Sequence, residues 1–326
     1  MRQLGKWLGR GLLALFALLA AIWLLAPSDT VDREIAFDAN QIAPDIDQYL
    51  TDTELQFSDI VPGTAKRVIW AGAAGTRTPL AVVYMHGFSA TSQEIRPVPD
   101  EVARALGANL FFTRLAGHGR GSAPMAEPVA GDWIEDMAEA MAIGRRLGDR
   151  VLVISTSTGA TLAAIAATDA DLSRGLAGIV MISPNFGLIS PAAAVLDLPL
   201  ARLWGPVLAG PTRSFAAVNA DHARYWTTSY PTTALFAMAA LVRHARGLDY
   251  AAATAPLLMI YAPQDQVIDP ARIVPVTKAW GGPVQTEPRE MTAGDDRFAH
   301  VIAGDILSPG QTEAVITLIT TWAKGL

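Results

Sequence analysis

Arg150-Val151-Leu152-Val153-Ile154-Ser155-Thr156-Ser157-Thr158-Gly159-Ala160-Thr161-Leu162-Ala163-Ala164 is the stretch that organises this chain. Consecutive aliphatic residues, then small polar ones, then an Ala-rich run predict a buried strand, a tight turn and a helix start. A serine at such a corner is lifted out of the sheet. Its hydroxyl can meet a base from one side and a substrate carbonyl from the other. The helix that begins at once also points free backbone N–H groups toward any oxyanion formed there. Ser155 and Ser157 both stand at the corner, but only Ser157 has a glycine two residues later, Gly159, where the helix must pass close to the strand. The plainer reading is a Ser/Thr-rich turn capped by a hydroxyl, and the rest of the chain decides between the two.

The stretch resembles the nucleophile elbow G-x-S-x-G of the α/β-hydrolases, with Ser155 in place of the first glycine. That position needs only a side chain small enough not to crowd the corner.

The length of 326 residues allows one large α/β domain or two small ones, and an apolar fraction of 51% is ample for a sizeable core. A formal net charge of −6 and no Lys/Arg run beyond the N-terminus argue against a nucleic-acid partner. The chain has no cysteine, which excludes disulfides, thiolate metal sites and a cysteine nucleophile together. His86, His118, His222, His244 and His300 form no paired ligand motif beside a carboxylate cluster, so neither a metal nor another cofactor is expected.

Residues 1–26 carry Arg2, Lys6 and Arg10 ahead of an uncharged run from Gly11 to Ala26. As a helix that run would be about 24 Å long, and adding Trp7 and Leu8, with Arg10 snorkelling, approaches a hydrocarbon core of about 30 Å. No A-x-A site ends it, and a cut after Ala26 would meet Pro27, which favours an uncleaved signal anchor over a cleaved signal peptide. Positive residues before it, and Asp29, Asp32 and Glu34 after it, predict a membrane-anchored protein with its main domain outside the cytoplasm. That is the periplasmic side of the inner membrane in a Gram-negative bacterium; cleavage would make the protein secreted. Residues 27–54 read as a tether and lead-in.

Strand material is expected over Leu55–Trp70 and Leu80–Met85, the latter running into His86-Gly87-Phe88-Ser89-Ala90-Thr91. Ala108–Arg114 and Gly178–Pro184 read as further buried strands, and Trp133–Leu147 as a helix whose Met and aromatic stripe is core. The alternation of strand and helix predicts a mainly parallel sheet covered on both faces, an α/β architecture. Residues 185–248 break the rhythm with short apolar pieces punctuated by Pro199, Pro206, Pro211 and Pro231. Pro256–Tyr261 resumes it as a strand, followed by the loop holding Asp265 and Asp269. Asp269 precedes a proline as a helix N-cap would. A last strand near Val284–Met291, a loop ending at His300 and a terminal helix from about Ser308 to Ala323 complete the chain.

With the elbow, the order Ser157, Asp265, His300 and the His86-Gly87 pair resemble the α/β-hydrolase fold over 55–184 and 249–326, with 185–248 as an inserted helical cap. The Gly117-His118-Gly119 loop resembles that of monoacylglycerol lipases, small carboxylesterases and serine aminopeptidases. The resemblance implies Ser157 as nucleophile, His300 as base and Asp265 as its partner, with an oxyanion hole from the backbone N–H groups of Phe88 and Thr158. It gives His86 and His118 structural roles. Trp204, Tyr225 and Trp226 are expected to wall an apolar acyl pocket under the cap. The implied activity is hydrolysis of a small-molecule ester or lipid through an acyl-enzyme. A serine aminopeptidase, with Asp197 or Asp221 holding a substrate ammonium, or an acyltransferase is the alternative within the fold. A membrane-tethered binding protein without turnover is the alternative outside the enzymes.

Overall fold

The computed structural model describes residues 2–25, 29, 31–32 and 34–326. The strands are β1 (Arg67–Ile69), β2 (Thr78–Met85), β3 (Asn109–Phe112), β4 (Gly148–Thr156), β5 (Leu176–Ile182), β6 (Thr212–Ser214), β7 (Ser229–Pro231), β8 (Leu257–Tyr261) and β9 (Val284–Pro288). The helices are α1 (Arg2–Leu25), α2 (Ile46–Glu54), α3 (Val98–Leu106), α4 (Ala130–Leu147), α5 (Thr158–Thr168), α6 (Ala201–Ala209), α7 (Ala220–Tyr225), α8 (Ala234–Ala245), α9 (Ile273–Ala279) and α10 (Pro309–Ala323). Seven strands form one sheet in the order β1-β3-β2-β4-β5-β8-β9. Only β1 runs antiparallel to its neighbour.

The period-2 alternation of side chains explains how continuous apolar runs serve this sheet. Val83, Met85, Val151, Val153, Ile179, Met181, Leu257 and Met259 face one core, built with α4, α5 and α8. Val82, Tyr84, Leu152, Ile154, Val180, Ile182, Leu258 and Ile260 face the other, built with α3 and α10. Each such aliphatic side chain contributes about 1.5–3 kcal/mol on burial, so the central strands hold the molecule together. Their carboxyl ends all open on one edge, where ligands bind in sheets of this kind.

Three expectations change. Strand structure over 55–70 is confined to β1; Pro62, Gly63 and the turn around them interrupt the rest. The lead-in contains α2, capped by the Asp45 side chain on the N–H of Gln48, with Ile46 and Leu50 buried in the first core. Residues 185–248 hold helices α6, α7 and α8, as expected, and also the small antiparallel pair β6–β7.

Among the described residues, no helix is long and apolar enough to cross a membrane. The membrane anchor expected over 1–26 therefore has no support here. Helix α1 forms, but the described side chains leave only a short apolar run beyond Arg10; the side chains of 22–24, and residues 26–28, lie outside the described residues.

Candidate active site

Ser157 lies between β4 and α5, at φ 50° and ψ −115°, a conformation that non-glycine residues rarely adopt. Its N–H donates to the Ile182 carbonyl at 2.9 Å, and its carbonyl accepts from Asn185 N–H at 3.1 Å. Both bonds tie the corner to the end of β5. Gly159 is what lets α5 leave so sharply. A Cβ there would sit 2.2 Å from the Met85 carbonyl oxygen and 2.7 Å from that of His86. Ser155 faces the sheet interior and donates to the Val180 carbonyl at 2.8 Å, so it cannot serve as the reacting hydroxyl in this arrangement.

His300 and Asp265 reach the same corner from the loops after β9 and β8. His300 Nε2 is 3.1 Å from Ser157 Oγ, and its Nδ1 is 2.8 Å from Asp265 Oδ2. The other oxygen of Asp265 accepts the N–H groups of Val267 and Ile268 at 2.7 and 3.0 Å, which fixes the carboxylate. Asp269 accepts the Ala271 N–H as an N-cap, the bland role its following proline suggests. Burial by itself would depress the His300 imidazole. The hydrogen bond and charge of Asp265, with the charges of Glu94 and Asp296, outweigh it and raise the ring above its ordinary 6.5.

Phe88 and Thr158 border the serine from two sides. Thr158 opens α5, in which Ala160 and Thr161 donate to the Ser157 carbonyl at 3.0 and 3.2 Å, and the N–H groups of Thr158 and Gly159 come before any intrahelical acceptor. Phe88 follows Gly87, where a Cβ would lie 3.1 Å from that of Ser157. His86 is buried and holds this loop: Nδ1 meets the Gly87 carbonyl at 2.9 Å, and Nε2 accepts the Leu115 N–H at 3.1 Å. Burial drives its pKa well down, as burial also lowers His118 to about 4. Neutral imidazoles suit the structural places given to both.

The expected pocket aromatics fare differently from one another. Trp226 is buried in the second core, edge-on to His222 with ring centroids 4.8 Å apart. Tyr225 packs on that core beneath the Arg224 guanidinium. Trp204 is half-buried and donates to the Pro199 carbonyl at 3.0 Å. The ring that meets Phe88 from the inserted segment is Tyr230, at 5.2 Å; His118 and Trp133 complete that aromatic group. Tyr230 escaped sequence reading because it lies in β7, one strand of an unforeseen short antiparallel pair.

Two carboxylates also escaped it. Asp296 accepts the N–H groups of His300 and Val301, each at 3.0 Å, and so shapes the histidine loop. Glu94 is 2% exposed and accepts the Gly87 N–H at 2.8 Å. The available signal was a carboxylate placed next to each motif.

The chain belongs to the alpha/beta hydrolase family, whose model matches residues 82–304, more than half of its length. It is a hydrolase of that family, and its fold has many solved counterparts. A structure from the metagenome-derived lipolytic enzymes LipS and LipT superposes with a TM-score of 0.67 at 21% identity, covering 82% of this chain and 100% of that one. The Paleococcus ferrophilus monoacylglycerol lipase gives 0.57 at 14% identity, covering 80% and 98%. A soluble variant of the Saccharomyces cerevisiae monoglyceride lipase gives 0.58 at 12%, covering 80% and 90%. No curated protein matches the chain.

Proposed function

We propose that the protein is a serine hydrolase of carboxylic esters acting through an acyl-enzyme. One observation carries this reading: the continuous line of hydrogen bonds from Ser157 Oγ through His300 to Asp265. His300 Nε2 takes the Ser157 proton as the oxygen attacks an ester carbonyl. Nδ1–H stays with Asp265, which stabilises the imidazolium. The N–H groups of Phe88 and Thr158 receive the oxyanion, a donor of this kind being worth about 3 kcal/mol in the transition state. Collapse expels the alcohol, which takes the proton from His300. Water then repeats the steps on the acyl-enzyme and frees the acid.

Residues 185–248 act as the cap over this site in our reading, and Tyr230 beside Phe88 makes its wall apolar. The lipolytic and monoacylglycerol-lipase counterparts favour ester and lipid substrates over peptides. An aminopeptidase loses one of its two acidic anchors, because Asp197 is already held by Arg243 at 2.5 Å and Arg246 at 3.1 Å.

Nitrophenyl esters of increasing acyl length test the proposal. Turnover is expected, with a loss of about 10⁴-fold or more in Ser157→Ala. Absence of turnover on every ester, or a fully active Ser157→Ala, defeats it.

A further inference from the structure

Glu94 is a buried carboxylate outside the Ser157–His300–Asp265 line. Its Oε2 accepts from the Gly87 N–H at 2.8 Å and from the Tyr84 hydroxyl at 2.9 Å. Tyr84 Oη also lies 3.2 Å from Thr156 Oγ1, the residue before the serine. A Cβ on Gly87 would lie 2.8 Å from Glu94 Oε1 and 3.1 Å from Ser157 Cβ, so carboxylate and nucleophile crowd one point from two directions. The ionisable groups that act on it are Tyr84 from β2 and His300 from the loop after β9. Asp265, from the loop after β8, and Asp296, from the histidine's own loop, act on the same imidazole.

We propose that Glu94 is a positioning residue for the ester hydrolysis inferred above, on which this proposal rests. Its carboxylate clamps the Gly87 peptide, and with it the adjoining Phe88 N–H, against Ser157. It also shares with Asp265 the stabilisation of the His300 imidazolium. Backbone donors contribute to catalysis only when aimed in advance at the developing charge, and a charged acceptor holds its peptide more firmly than a neutral one.

Burial pushes Glu94 up to about 7, against the opposing pull of the Gly87 N–H, Tyr84 and His300. Each group's charge favours the charged form of the other. The sign follows directly. A neutral residue at 94 removes a negative charge that favours the imidazolium, so the His300 pKa falls and the acid limb of kcat/KM moves to lower pH.

In Glu94→Gln, kcat at pH 8 is expected to fall about 10-fold with KM held within about twofold, and the acid limb to move down by roughly half a pH unit or more. Glu94→Asp keeps the charge but withdraws from Gly87; it should lose kcat with the acid limb near the wild-type position. Wild-type kcat and acid limb in Glu94→Gln overturn the proposal, as does a loss of kcat without any shift of the limb. A measurement on the unaltered protein guards against variants that do not fold. The Gly87 amide resonance should move with pH as the Glu94 carboxylate takes up its proton, and a resonance that stays fixed across that range overturns the clamp. A wild type that turns over no ester defeats the hydrolase reading separately, and the Gly87 resonance then judges Glu94 by itself.

Discussion

A serine held at φ 50° is a strained residue, and the strain is what exposes its hydroxyl to His300. The imidazole must be neutral to accept a proton. Because the neighbouring carboxylates raise it above 6.5, kcat/KM should climb with pH through an acid limb lying above that value. A limb well below 6.5, measured across a pH series on one nitrophenyl ester, contradicts this. Asp265→Asn removes the negative partner and favours the wrong ring tautomer, so kcat should drop by about 10³–10⁴-fold while the fold persists. A drop of less than tenfold would mean that Asp265 is not the partner that matters. Ser157 and Asp265 were legible in sequence because each follows a strand within a few residues, and His300 because it stands in the loop between the last strand and the terminal helix. Glu94 and Asp296 were not, because they act through backbone N–H groups that folding alone brings to them.

Elements fix where those side chains can stand. The crossing of α5 over the end of β2 leaves no room at Gly159, and a methyl group there would meet the carbonyls of Met85 and His86. Gly159→Ala should therefore destabilise the protein by about 3 kcal/mol or more in a denaturant titration; a variant as stable as wild type would show that α5 can shift freely. Helix α2 is fastened differently. Glu54 at its end takes two bonds of 2.8 Å from Arg114, and both side chains are buried. Arg114 in turn donates to the His118 carbonyl at 3.1 Å, so α2 braces the loop that packs on Phe88. Glu54→Ala leaves a buried guanidinium unpaired and should cost about 3–5 kcal/mol. A loss below 1 kcal/mol would mean that water reaches Arg114. The core strands and α4, α5 and α10 could be read ahead of the structure because their apolar runs are long. Helix α2 was missed although Asp45 and the spacing of Ile46, Tyr49 and Leu50 mark it, since its short pattern is set among polar residues. The β6–β7 pair has three residues a side and no turn signature at all.

At the scale of the molecule, one sheet gathers the site and the inserted segment lies beside it, tied by the Thr227 N–H to the Ser89 carbonyl at 2.7 Å. Among the described side chains of α1 none joins either core, and Trp7, Leu12, Leu13 and Phe16 are well exposed. Removal of residues 1–25 should accordingly leave the unfolding midpoint within about 2 °C and ester turnover unchanged; a large loss of either would show that α1 supports the core. The α/β class was legible because strand and helix alternate across most of the chain. Which side chain of 185–248 meets Phe88 was not, because it depends on how that segment folds back. The central claim is that Ser157 is the activated nucleophile, and covalent capture tests it most directly. A fluorophosphonate probe, followed by peptide mapping of the adduct, should mark Ser157 alone and fail on Ser157→Ala. An unmarked wild type, or a Ser157→Ala variant marked as strongly as wild type, would contradict the account.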